Sequence, residues 1–149
     1  MDLFSQLETP TSDKPEKHGM MYSDGGSRGN PGPAASGSVL YDENKKTIAR
    51  DGFYCGTQTN NYAEYMGVIR GCELALKHDI THLKVYLDSN LAVEQLSGNW
   101  KVKNANIKPL FEKAHALKEQ FVQISYHHVR REYNKVADGI VNDVLDSNR

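Results

Sequence analysis

The stretch Tyr22-Ser23-Asp24-Gly25-Gly26-Ser27-Arg28-Gly29-Asn30-Pro31-Gly32-Pro33 puts the tightest constraint on how this chain folds. Residues 20–23 read as a strand, because apolar and aromatic residues favour extended structure while Gly, Pro and Asn punctuate it. Asp24 then stands at a strand edge, followed by four glycines and two prolines in the nine positions 25–33. A backbone with so few side chains can be approached closely by a polyanion.

The segments that follow define a mixed sheet. Residues 34–41 form a second strand, and Asp42-Glu43-Asn44-Lys45 turns the chain into a third over residues 47–55. Residues 62–77 carry apolar side chains at helical spacing, with Tyr62, Met66, Ile69 and Leu76 on one stripe and Tyr65, Val68 and Ala75 beside it. Leu83, Val85 and Leu87 alternate along a fourth strand that ends at Asp88, and residues 89–96 make a short helix closed by Gly98. Asn104 is placed to cap a helix reaching about residue 120, with Pro109 in its first turn. Residues 121–129 return as a strand, and residues 135–145 close as a helix with Val136, Ile140, Val144 and Leu145 inward. Three antiparallel strands followed by alternating helix and strand give an α/β fold, one sheet with helices on its faces.

At 149 residues the chain is about one domain, which we place at 19–149. Residues 1–18, with Pro10, Pro15, a Thr-Ser cluster and several charges, read as a flexible N-terminal extension. A formal net charge of −1 excludes binding of nucleic acid by bulk positive charge, so a local patch or bound metal ions would have to serve. Cys55 and Cys72 show neither metal-type nor redox-type spacing and are expected as buried free thiols of a reducing compartment. No apolar run approaches the ~18 residues that span a bilayer, and no basic start precedes an apolar stretch, so a soluble cytoplasmic protein without membrane contact is expected.

Four carboxylates fall at element ends: Asp24, Glu64, Asp88 and Asp138. Each has a structural explanation by itself. Asn61 and Glu64 fit a capping box in the first turn of the long helix, Asp88 can cap the helix after it, and Asp138 favours the positive end of its helix dipole. Brought into one cleft, however, they would repel one another, and hard divalent cations with oxygen ligands, Mg²⁺ or Mn²⁺, are the usual remedy. Two such ions about 4 Å apart can activate a water and stabilise the leaving oxygen of a phosphodiester.

The glycine-rich block after Asp24, Thr59-Asn60-Asn61-Tyr62-Ala63-Glu64-Tyr65, Asp88-Ser89-Asn90 and Arg131-Glu132-Tyr133-Asn134-Lys135-Val136-Ala137-Asp138 resemble, in order and spacing, the four signature blocks of type 1 ribonuclease H. The resemblance implies a ribonuclease H-like fold: a five-stranded sheet in the order 3-2-1-4-5 with helices on both faces. It also implies a metal-dependent endonuclease, expected as a monomer, that cuts the RNA strand of an RNA/DNA hybrid to leave a 5′-phosphate and a 3′-hydroxyl. Asp24 would then bridge both Mg²⁺ ions, with Mn²⁺ a possible substitute, Glu64 and Asp88 would help hold the second, and Asp138 would complete the water-activating one. Gly25 and Gly26 in the turn and Asn60 beside Asn61 would contact RNA 2′-hydroxyls, joined by Asn90, where many relatives carry glutamine. Thr59 and Asn30 match positions that grip a phosphate of the DNA strand.

Two departures from the family pattern bear on mechanism. Many members place a mobile histidine before the last aspartate. His128 has the offset often seen for it, ten residues ahead of Asp138, but falls at a strand end, whereas relatives with the Arg-Glu-x-Asn-Lys pattern put an arginine there, here Arg131. Arg131 is the preferred auxiliary group of the two, and His127 is expected to be structural. The long basic protrusion of some relatives is also absent. Its place is taken by a short segment in which Trp100, Lys101 and Lys103 either face the DNA strand or form a half-buried tryptophan beside solvated lysines.

Duplex RNA is a further candidate substrate. The rival readings are a hybrid-binding module that does not cleave and another nuclease of the same fold acting on DNA. Asp2-Leu3-Phe4 resembles the end of peptides that dock bacterial replication clamps, without their usual upstream glutamine.

Overall fold

The computed structural model describes residues 14–149. Asp2-Leu3-Phe4 lies outside the described residues. Strands β1 (His18–Ser27), β2 (Gly32–Tyr41) and β3 (Thr47–Gln58) pair antiparallel, β4 (His82–Leu87) runs parallel to β1, and β5 (Gln123–His128) runs parallel to β4. The sheet order is β3-β2-β1-β4-β5, as the resemblance implies. Helices α1 (Asn60–Lys77), α2 (Asn90–Leu96), α3 (Lys108–Lys118) and α4 (Lys135–Ser147) complete the chain, with a 3-10 turn over Arg131–Tyr133. Among the described residues no helix is long and apolar enough to cross a membrane.

Helices α1 and α4 cover opposite faces. Met21 and Ser23 of β1 meet Gly71 and Gly67 of α1, whereas Gly26 faces Val141 of α4. The main core lies on the α1 side, where Met21, Leu40, Tyr65, Ile69, Leu83 and Val85 are fully buried. A smaller cluster of Ala35, Val141 and Leu145 lies under α4.

Several element ends differ from expectation, each for a local reason. Asp24 is inside β1 rather than at its end, because pairing with β2 continues to Ser27 opposite Ala34. Pairing with β4, however, stops at Tyr22 opposite Tyr86, so the edge expected at Asp24 exists on the β4 side alone. At its other end β1 begins at His18. Lys17 donates its N–H to Thr81 Oγ1 at 2.8 Å and accepts from the Thr81 N–H at 2.9 Å, so residues 14–18 of the expected extension include a backbone anchor on the sheet.

Helix α1 is capped by Thr59, whose Oγ1 accepts from the Tyr62 N–H at 3.1 Å, instead of by Asn61. This earlier start moves Glu64 into the second turn and dissolves the capping box. Ser89, not Asp88, caps α2 by accepting from the Ala92 N–H at 3.2 Å. Asn104 spends its side chain on a local turn, accepting from the Asn106 N–H at 2.8 Å, and α3 starts only at Lys108. Both acids at the expected caps are thereby left free for the cleft.

In α4 the buried face is Ala137, Val141 and Leu145, and Val136 is 40% exposed. Ala137 is fully buried where the backbone of α4 closely approaches the sheet. Cys72 is buried and Cys55 half-buried, both free, and burial pushes their thiols up to about 12 and about 11.

That close approach positions the acids. Gly37 pairs with Asp24 across the β1–β2 ladder, and a Cβ on Gly37 would stand 2.6 Å from the Ala137 carbonyl. A Cβ on Gly25 would overlap the Ala63 carbonyl on the other face. Each helix therefore touches bare strand backbone one residue before its acid, Glu64 or Asp138. Gly25→Ala and Gly37→Ala should each cost about 1–3 kcal/mol, as overpacking does. Urea unfolding at unchanged m-value measures this, and an unshifted midpoint would show that the helices yield freely.

Candidate active site

Asp24 of β1, Glu64 of α1, Asp88 just beyond β4 and Asp138 of α4 line one cleft of about 450 Å³. The cleft forms where β4 ends at Leu87 while β1 runs on, so Asp24 projects past the parallel pairing and Asp88 is released beside it. Gly25, Gly26, Asn60 and Arg131 supply further wall.

The acids perturb one another. Asp24 is 9% exposed, and its carboxyl is pushed up to about 8. Loss of hydration is the main cause, then the charge of Asp88 and a hydrogen bond with Asp138, opposed by the Gly25 N–H. Glu64 is pushed up to about 7, mainly by burial and then by Asp88, against a hydrogen bond from the Ser89 hydroxyl. Such a set is short of positive charge. All-oxygen donors on several elements, two of them holding protons near neutrality, suit a hard divalent cation.

The residues expected to read substrate are brought together at the cleft mouth. Asn60 Oδ1 accepts from the Ser27 N–H at 2.8 Å and from its hydroxyl at 3.1 Å. The Asn60 N–H donates to Asn30 Oδ1 at 3.0 Å. Thr59, Asn60, Asn30 and the last residues of β1 thus form one surface, with Asn61 half-buried beside it and Asn90 exposed at the start of α2. Trp100, 48% exposed, and the exposed Lys101 and Lys103 stand on the connection between α2 and α3, away from the lining of the cleft.

Of the two auxiliary candidates, Arg131 lines the cleft with the four acids. His128 is exposed at the end of β5, its Nε2 3.3 Å from the Asp88 carbonyl oxygen. His127 points elsewhere, stacking on Tyr86 with ring centroids 5.3 Å apart and bonded to Ser125 Oγ at 2.7 Å.

Asn134 was missed by the sequence reading. Its Nδ2 donates to the Ser23 carbonyl at 2.8 Å, its backbone carbonyl accepts from the Asp138 N–H at 3.1 Å, and its side chain is buried. It thereby ties the start of α4 to the residue before Asp24. The chain shows only an asparagine before a helix, which signals a cap and not a tether across 111 residues. Ser89 on Glu64 and Arg28, which lines the cleft and pairs with Asp146 at 2.8 Å, were also missed.

A sheet in this order, with a helix on each face and four acids gathered where β4 ends, defines the ribonuclease H-like class. The family model described as reverse transcriptase-like matches residues 22–144. Ribonuclease HI of Halobacterium salinarum is 36% identical over 135 residues, 89% of this chain and 68% of that protein. A bifunctional protein of Mycobacterium tuberculosis is 44% identical over 129 residues, and the chain spans 35% of its length. The solved N-terminal ribonuclease H domain of that mycobacterial protein superposes with a TM-score of 0.86 at 42% identity, over 89% of this chain and 96% of that one. LC11 ribonuclease H1, solved in complex with an RNA/DNA hybrid, gives 0.82 at 38% identity over 87% of this chain and 98% of its own. The chain belongs to the type 1 ribonuclease H family.

The raised acids set a pH dependence. A protonated Asp24 favours the fold below the unfolded value of 3.8, and this contribution is lost as pH rises to about 8. In metal-free protein, Asp24→Asn should therefore gain stability over the parent across that window, by about 1 kcal/mol or more at its upper end. Denaturant melts of both proteins from pH 4 to pH 8 measure the gap, and a gap constant with pH would contradict the assignment.

Proposed function

We propose that this protein is an endoribonuclease that hydrolyses the RNA strand of RNA/DNA hybrids, leaving a 5′-phosphate and a 3′-hydroxyl. The observation that carries this is the convergence of Asp24, Glu64, Asp88 and Asp138 in one cleft beside a glycine-lined turn. The hybrid-bound LC11 ribonuclease H1 supports the substrate class.

The four acids would hold two divalent cations, Mg²⁺ or in its place Mn²⁺, which would supply a water of lowered pKa and stabilisation of the leaving oxygen. Asp24 and Glu64 give up protons to receive them, so occupancy rises with pH through the range where both carboxyls ionise. Ser89 stabilises the ionised Glu64, and Asn134 keeps Asp138 beside β1. Arg131, in the cleft wall, offers a fixed positive charge to the phosphate and to the departing product, and His128 stands by at the rim.

Gly25 and Gly26, half-buried, line the cleft that an approaching strand would enter, and the side chain of Asn60 is held by Ser27, so the 2′-hydroxyl contacts come from a preorganised surface. Asn61 adjoins that surface and Asn90 meets the same strand from α2. Thr59 and Asn30 grip the DNA strand, and Trp100 with Lys101 and Lys103 extends that grip beyond the cleft.

Cleavage of one end-labelled sequence as hybrid, duplex RNA, duplex DNA and single-stranded RNA tests this, with Mg²⁺, with Mn²⁺ and with chelator. Internal cuts in the RNA of the hybrid that vanish with chelator are expected. Asp24→Asn should fall to background while its hybrid Kd moves less than about tenfold, or ~1.4 kcal/mol. Tight hybrid binding by the parent without cleavage under any metal would convert the reading to a binding module, and cuts confined to duplex DNA would make it a DNA nuclease.

A further inference from the structure

Among the described residues, the tightest cluster of metal-ligand side chains is not the acid cleft. Glu16, His18 and His82 each offer a ligand atom, and the three atoms lie within 4.8 Å of one another. His18 and His82 are the first residues of β1 and β4 and pair directly in the parallel register. Asp88 follows His82 by six positions, roughly 20 Å along an extended chain. The cluster and the acids occupy opposite ends of the same two strands.

We infer that Glu16, His18 and His82 bind a divalent transition-metal ion of the zinc class. Direct pairing in a parallel ladder sends both imidazoles to one face, where they stack with centroids 4.4 Å apart and planes 17° from parallel. The Glu16 carboxylate approaches both, with Oε2 2.8 Å from His18 Nε2 and Oε1 4.0 Å from His82 Nε2.

Thr81 holds His82 in place. The Thr81 hydroxyl has one hydrogen, which it donates to the Lys17 carbonyl at 3.1 Å, and it accepts the Lys17 N–H at 2.8 Å. The same hydroxyl lies 2.8 Å from His82 Nδ1, and it accepts from that nitrogen when Nδ1 carries the proton. In that tautomer Nε2 of His82 turns its lone pair toward the Glu16 carboxylate 4.0 Å away, an arrangement of two acceptors that a cation completes. An outer-sphere hydroxyl that orients a ligating imidazole is itself a usual part of such sites.

Two imidazole nitrogens and one carboxylate oxygen are borderline donors. They favour Zn²⁺, Co²⁺, Ni²⁺ or Cu²⁺ over Mg²⁺ and leave a position open to water. A metal with bonds near 2.0–2.1 Å needs the two near-parallel rings turned so that their lone pairs converge, with the exposed Glu16 rotated in to meet them. Lys17 Nζ is engaged by the His78 carbonyl at 2.8 Å, and the adjoining hollow carries one charge of each sign, Glu43 and Lys84. An occupied site would clip residues 16–18 to β4.

The test is calorimetric titration of the chelator-stripped full chain with Zn²⁺ in saturating Mg²⁺, alongside the visible absorption of the Co²⁺ form. One Zn²⁺ per chain that Mg²⁺ does not displace is expected, with a melting temperature raised by Zn²⁺. His18→Gln and His82→Gln should each weaken binding by about 10- to 100-fold or more, and Thr81→Val should weaken it with every ligand retained. Glu16→Gln, on an exposed side chain, keeps the test open if a histidine variant fails to fold, and should lose the Zn²⁺-dependent rise in melting temperature. Asp24→Asn should titrate like the parent. Absence of Zn²⁺ binding, binding that survives the Glu16 and histidine substitutions, or binding lost in Asp24→Asn would overturn the site and leave a proton-linked Glu–His cluster.

Discussion

Backbone contact between two helices and one pair of strands governs the acidic cleft. Asp24 and Gly37 face each other in the β1–β2 ladder, and Gly25 comes next. The missing side chains at these glycines let Ala63 and Ala137 reach strand backbone from opposite faces, each one residue ahead of an acid. Interiors are packed too densely to absorb a methyl group at such contacts without moving a helix. Acid separation and sheet packing are therefore set by the same contacts, and neither can change alone.

That arrangement stores electrostatic cost. Four acids on rigid elements cannot rotate out to water as surface carboxylates do, so burial first and mutual repulsion second appear as retained protons on Asp24 and Glu64. The fold supplies selective relief. Ser89 donates to Glu64 and the Gly25 N–H donates to Asp24, which holds the ionised forms within reach of neutral pH. A group poised in this way exchanges its proton for a cation at small cost, which is how a structural expense becomes a binding preference.

The sequence was most legible where chemistry repeats along the chain. Strand alternation placed Leu83, Val85 and Leu87 inward, and the four motif blocks identified every acid in the cleft. It was least legible at helix starts, where neighbouring residues compete for one role. Thr59 displaced Asn61 and Ser89 displaced Asp88 as caps, because a hydroxyl one or two positions away met the first free N–H in better register. Val136 looked inward by spacing alone, but α4 lays its backbone at Ala137 against Gly37 and leaves Val136 40% exposed. Asn134 was invisible for a different reason: its partner, the Ser23 carbonyl, is a backbone atom 111 residues away and leaves no pattern in composition or period.

The parallel β1–β4 pair gives the molecule two chemically different ends. Parallel strands start together and, when one is shorter, end apart. At the start, equal register places His18 beside His82, so like side chains stack and share one carboxylate. At the finish, β4 stops and β1 continues, which opens an edge that oxygen donors from α1, α4 and the β4 terminus fill. Nitrogen-rich and oxygen-rich ligand sets are thereby kept a strand length apart. On the functions proposed for the two ends, hard cations would favour the oxygen end and borderline ones the nitrogen end, so one topological feature would sort metal ions without a dedicated binding domain.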